Sequence, residues 1–122
     1  KAKFGKYLID SDPVSRGVRD DATGDSIFTT TDESAWQIGR NHYQSSENYR
    51  WQVNDARPAQ AQYQGQRRNV FTIDGRVIDL ATEAHIQSDA THFHVSFTKT
   101  LRQNGSVVRE KTWTDSIPRH YQ

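Results

Sequence analysis

From Asn69 to Arg119 the chain alternates apolar and polar residues in short runs punctuated by turn residues, a pattern that predicts three consecutive antiparallel strands. Asp74-Gly75 and Asn104-Gly105 are pairs that supply the positive backbone angles of a tight two-residue hairpin. Between them Ser88-Asp89-Ala90-Thr91 is a weaker turn. Registers set from these tips pair Phe71 with Ile78, Ile86 with Phe93, Ala84 with Val95, Thr82 with Phe97, Leu101 with Val108 and Lys99 with Glu110. They place Phe71, Ile78, Leu80, Ala84, Ile86, Phe93, Val95, Phe97, Leu101 and Val108 on one face, the expected core, because a one-residue slip would scatter that set.

Upstream the signals are shorter. Lys3 to Asp10 reads as a strand, Val14 to Asp20 alternates weakly, and Asp20 to Asp25 is a polar loop. Ser26 to Thr31 and Ala35 to Tyr43 read as strands, with Gln44-Ser45-Ser46-Glu47-Asn48 as the turn after them. Tyr49, Trp51 and Val53 alternate with polar residues as a half-buried strand. Asn54 to Pro58 is a break, Pro58 being poorly tolerated in a central strand, and Ala59 to Gln66, with every second residue Gln, reads as either an edge strand with an amide-lined outer face or a loop, the strand being favoured. Trp36 and Trp51 are expected in the core.

Composition agrees with strands. Only three leucines occur, Leu8, Leu80 and Leu101, against eight valines. A length of 122 residues suits one domain, residues 1–122, with a modest core. The hydrophobic fraction of 33% is low, but a net charge of +1 and 11% aromatic residues argue against a solvated, unfolded chain. The expected fold is therefore all-β: an antiparallel meander forming a curved half-barrel or a sandwich, with little helix. Balanced charge gives no footprint for nucleic acid, and no apolar run approaches the roughly 20 residues that span a bilayer. Cysteine is absent, which removes disulfides and thiolate metal sites. Methionine is absent too, from which a processed or excised chain is expected.

The same registers put His92 and His94 on the face away from the core, with His85 and Asp115 across from His94. His85, His92, His94 and Asp115 are thus the candidate ligands of a divalent metal. A flat sheet seldom converges ligands tetrahedrally, so the expectation is no metal and no cofactor. The second face is also expected to carry Trp113 beside Val70, Thr72 and Val77. Trp113, His92, His94, Arg109 and position 100 (Thr100) form a candidate contact surface, because exposed Trp, His and Arg dress protein interfaces. Nucleophilic catalysis lacks a Gly-x-Ser-x-Gly elbow and a cysteine, and no phosphate loop is present. A curled meander enclosing an apolar cavity, in the manner of a lipocalin, is the alternative reading.

Two runs, Asp89-Ala90-Thr91-His92-Phe93-His94-Val95 and Trp113-x-x-Ser116-Ile117-Pro118-Arg119, resemble the C-terminal region of cocaine-esterase-like and X-prolyl dipeptidyl-peptidase-like α/β-hydrolases. A weaker likeness reaches back through Arg57-Pro58-Ala59 and Trp51-Gln52-Val53-Asn54-Asp55. In such relatives the nucleophile and its triad lie upstream, so no catalytic residue is carried onto this chain. The resemblance implies a non-catalytic accessory domain, with the catalytic domain of a parent hydrolase as partner and homo-oligomer contacts as a further role. The closing His120-Tyr121-Gln122 departs from the ending expected of that family.

Overall fold

The structure is a computed structural model that describes residues 14–120. Seven strands follow one another in the chain: β1 (Val14–Asp20), β2 (Asp25–Ile38), β3 (Asn41–Asn54), β4 (Arg57–Ile73), β5 (Arg76–Ser88), β6 (His92–Gln103) and β7 (Ser106–Pro118). Each pairs antiparallel with its sequence neighbours in the order β1 to β7, so the fold is an all-β meander. The sheet is single and open, and within it no strand touches any but its neighbours. The strand expected at Lys3 to Asp10 lies outside the described residues.

Turn chemistry explains the connections. Asp74 and Gly75 have φ of 49° and 79°, Asn104 and Gly105 have 49° and 83°, so both hairpins take two consecutive positive-φ residues. Asn104 also ties two hairpin ends together: its backbone N–H donates to the Val77 carbonyl at 2.8 Å, and its Oδ1 accepts from the Val77 N–H at 2.9 Å. Three turns here join four strands, one more than the three expected.

Four expectations need correction. Ala35 to Tyr43 is not one strand, because Gly39, with φ of 60°, turns the chain between β2 and β3. Gln44 to Asn48 is not a turn but the middle of β3, since both flanking strands offer it backbone partners, among them Ser45 with Ser34 and Asn69. The Gln-rich run is not an edge; it belongs to β4, at the centre of the sheet. Pro58 is accommodated there because Pro58, Ala59 and Gln60 form a bulge without partners in β3, where a missing N–H interrupts no ladder.

The fourth correction concerns register. The Asp74-Gly75 hairpin pairs Phe71 with Ile78, as expected. At the next turn Ile86 meets Val95 and Ala84 meets Phe97, a shift of two residues that preserves the face. At the last hairpin a bulge pairs Leu101 with Arg109 instead of Val108. That odd shift turns every later residue of β7 over. Trp113 therefore lies opposite Phe97 and Asp115 opposite Val95, both on the apolar face rather than with the histidines.

No hydrophobic residue among those described is buried, so the face expected to be the core has nothing over it. Trp51 is 42% exposed and Trp113 43%. A sheet face of this kind is stable only against a second layer, and the described strands supply a single layer.

Candidate functional site

Directly opposed residues share a face, and following the pairs across the sheet sorts the side chains sharply. Phe28, Trp36, Tyr43, Tyr49, Trp51, Tyr63, Phe71, Phe93, Phe97 and Trp113, every Phe, Tyr and Trp of the described residues, lie on one face. His42, His85, His92 and His94 lie on the other, with Gln44, Gln52, Gln62, Gln64, Gln66 and Gln87.

The aromatic face is organised in rows. Trp36 stacks on Tyr43 with ring centroids 3.7 Å apart, and Tyr43 meets Phe71 edge-on at 4.6 Å. Four rows further along the same face, Phe28 is 5.8 Å from Trp51 and Trp51 is 5.0 Å from Tyr63. Gly65 lies between Tyr49 and Ala84 in the next row, and the rings of Tyr49 and Tyr63 cover it so closely that an added Cβ would stand 3.2 Å from Tyr49 Cδ1. Aromatic cover of a strand glycine makes up for its missing side chain. At the far edge Phe97 lies 5.5 Å from Trp113, whose ring also carries the Lys111 ammonium at 4.9 Å.

One end of the sheet holds a hydrogen-bonded knot. Asp89 Oδ1 accepts from the backbone N–H groups of Thr91 at 2.8 Å and His92 at 2.7 Å, and its Oδ2 pairs with His94 Nε2 at 2.9 Å. These contacts, His94 first, hold the Asp89 carboxyl well below the usual carboxylate range. Arg119 Nη1 donates to the carbonyls of Asp89 at 2.7 Å and Ala59 at 2.9 Å, and its guanidinium lies 4.9 Å over the Phe93 ring. Ser88 closes the bulge from the other side: its hydroxyl donates to the Ala59 carbonyl at 2.7 Å and accepts from the Ala61 N–H at 3.0 Å. The runs around Pro58, Asp89 and Arg119 thus serve one another, leaving the bulge's backbone groups satisfied.

The candidate metal set does not assemble. Asp115 faces away from the histidines, His94 lies opposite Gln87 and Ser116, and His85 opposite Ser96. Among the described residues no three His, Asp or Glu side chains are placed to hold a metal ion. His85 is instead paired with Glu83 at 2.7 Å, and His92 Nδ1 with Thr91 Oγ1 at 2.7 Å. The candidate contact surface divides between the faces. His92 and His94 are on the amide face, and Trp113 and Arg109 on the aromatic face. Position 100 is withdrawn from it: Thr100 is 8% exposed and donates to Glu110 at 3.3 Å.

A constellation not anticipated from the sequence is Ser116, His94 and Asp89. Ser116 Oγ is 3.3 Å from His94 Nδ1, and the carboxylate on Nε2 fixes the tautomer that leaves Nδ1 an acceptor. The order is that of a hydrolytic triad, but the surroundings oppose the chemistry. The Ser116 N–H, the donor nearest a reacting carbonyl, is taken by the Asp115 carboxylate at 2.8 Å, which would repel a developing oxyanion. His94 and Asp89 side chains are about half exposed, so water is not excluded.

No family model, curated protein or solved structure matches this chain. Its reading rests on the faces and the knot. The open sheet encloses no interior, so the described strands do not form the cavity that a lipocalin-type binder requires.

Proposed function

We propose that this chain is a non-catalytic interaction domain, an accessory of a serine hydrolase of the peptidase, esterase or acylase class, that presents its aromatic face to a neighbour and helps shape access to the catalytic body. One observation carries the interaction reading: every described Phe, Tyr and Trp stands on one sheet face that the described residues leave uncovered. Aromatic surface of this kind, here in clusters with a polar and a charged row between them, marks interfaces, where Trp and Tyr are enriched among the residues that dominate binding.

The hydrolase assignment is supported by the resemblance alone. The knot gives its motifs a structural use, since Asp89, His92, Phe93, His94 and Arg119 hold the end of the sheet together. The purified chain is expected to show no turnover of chromogenic esters or aminoacyl anilides, and the reading frame that encodes it to carry a Gly-x-Ser-x-Gly elbow within an α/β pattern. Turnover abolished by Ser116→Ala or His94→Ala would overturn the non-catalytic reading. A frame without the elbow would remove the hydrolase and leave the interaction domain.

A further inference from the structure

The aromatic face is electrically polarised. One row of opposed residues crosses it from β2 to β7 in the order Asp32, Glu47, Arg67, Thr82, Lys99, Lys111. Its acidic end lies over β2 and β3 and its basic end over β6 and β7. Arg67, at the middle, is bridged to Glu47 at 3.3 Å. Lys99 and Lys111 stand directly opposite each other, an arrangement that destabilises a strand pair, and among the described residues no ion pair relieves it. Together with Arg109 they rim a shallow apolar trough floored by Leu80, Leu101 and Trp113. A second trough on the same face, over β2 to β4, contains Asp32 and Glu47.

We propose that a second copy of this chain covers the aromatic face, the two sheets packing face to face about a two-fold axis that runs along the strands above β4. The proposal rests on the interaction-domain reading and names the occupant of that face. A half-turn about this axis carries β2 over the partner's β6 and β3 over its β5 at the same height along the strands. Asp32 then meets Lys99 in the basic trough of the other copy, Glu47 stands over Thr82 beside it, and Arg67, on the axis, faces its own copy with each guanidinium bridged to its own Glu47. The same operation returns the favour at the other end, as a closed isologous contact must. Size is complementary as well: in the row Thr30, Tyr49, Gly65, Ala84, Phe97, the bulky Tyr49 falls over Ala84 and Phe97 over Thr30.

Area favours the same occupant. Seven strands at about 4.8 Å spacing and about 40 Å length give a face of about 1,300 Å². Two such faces bury about 2,600 Å², the range of obligate dimers. The product is a two-layer sandwich whose second sheet is the partner, the layer that the described strands lack.

The test uses the whole chain in sedimentation equilibrium with charge-reversed variants. The unaltered chain is expected to dimerise. Lys99→Glu/Lys111→Glu and Asp32→Lys/Glu47→Lys are each expected to weaken self-association about 100-fold or more, and an equimolar mixture of the two to recover a dimer, because each then complements the other at both ends. A dimer untouched by both reversals would overturn the proposal and place association elsewhere, such as the open edges. A monomer with unaltered circular dichroism whose tryptophans remain open to acrylamide would overturn the second copy while leaving the interaction face standing. A monomer with all three tryptophans shielded would overturn both.

Discussion

Arg119 donates a 2.9 Å hydrogen bond to the carbonyl of Ala59, a residue sixty positions earlier in the chain. The contact brings the first residue after β7 onto the bulge that opens β4, and it converts a strand interruption at Pro58 into a fixed corner. Sheet ends fray when their backbone groups face water, and here they are gathered by Ser88, Asp89 and Arg119.

Arg119→Ala should therefore cost about 2 kcal/mol, because it removes two charge-assisted hydrogen bonds and the stacking on Phe93. Arg119→Lys should recover only part of this, since an ammonium can donate to the two carbonyls but lacks the planar face that lies over the Phe93 ring. Urea midpoints at fixed protein concentration measure both. Full recovery by lysine would mean that geometry at this corner matters less than the knot implies.

Asp89 sets an acid limit on stability. Its carboxyl is held well below the usual range by His94 and by the N–H groups of Thr91 and His92. A depressed folded-state value means that the stabilisation is present above the unfolded carboxylate value, about 4, and fades as pH falls through the lower folded value. Asp89→Asn should be less stable than the unaltered chain at neutral pH, with the gap closing below pH of about 4. A constant gap across that range would assign the effect to shape instead of charge.

On the amide face Arg68 grips Asp79 through Nε at 3.0 Å and Nη2 at 2.6 Å. The partners differ in burial: Asp79 is 8% exposed, whereas the Arg68 side chain is largely in solvent. Arg68→Ala leaves a carboxylate shut in, with Arg102 as a weaker cationic neighbour, and should cost about 2 kcal/mol. Asp79→Asn releases an arginine that water can solvate and should cost about 1 kcal/mol. Thermal or urea unfolding of the two variants would show the asymmetry, and the reverse order would contradict it.

Turn and alternation carried most of the architecture from the residues alone. Phe71 to Leu101 alternates with a period of two around tips that admit one register or one of the same parity, so the split between aromatic and histidine faces was legible. The bulge after Leu101 was not. Neither glycine nor proline marks it, Val107 and Val108 both suit a strand, and a single extra residue sends Trp113 and Asp115 to the opposite face. Gln44 to Asn48 misled for the converse reason: its polar side chains resemble a turn, while its place between two long strands decides its backbone. The knot was visible as motifs without a meaning, because residues as far apart as Ala59 and Arg119 become neighbours only once four strands are laid side by side.

Asn104 closes the tip of the last hairpin with φ of 49° and also holds Val77. Asn104→Ala should cost about 1 to 2 kcal/mol, combining the left-handed conformation that alanine resists with the lost bond to Val77 N–H. Amide exchange should accelerate at Val77 as well as at the tip. Acceleration confined to the tip would mean that the two hairpin ends are not coupled.

Among the described residues nothing covers the aromatic face. Acrylamide quenching of Trp113, read in a Trp36→Phe/Trp51→Phe background, tests it across a dilution series. Trp113 is expected to be readily quenched in the dilute, dissociated chain and shielded as the chain associates; a Trp113 shielded equally at every concentration would mean that the chain covers that face itself.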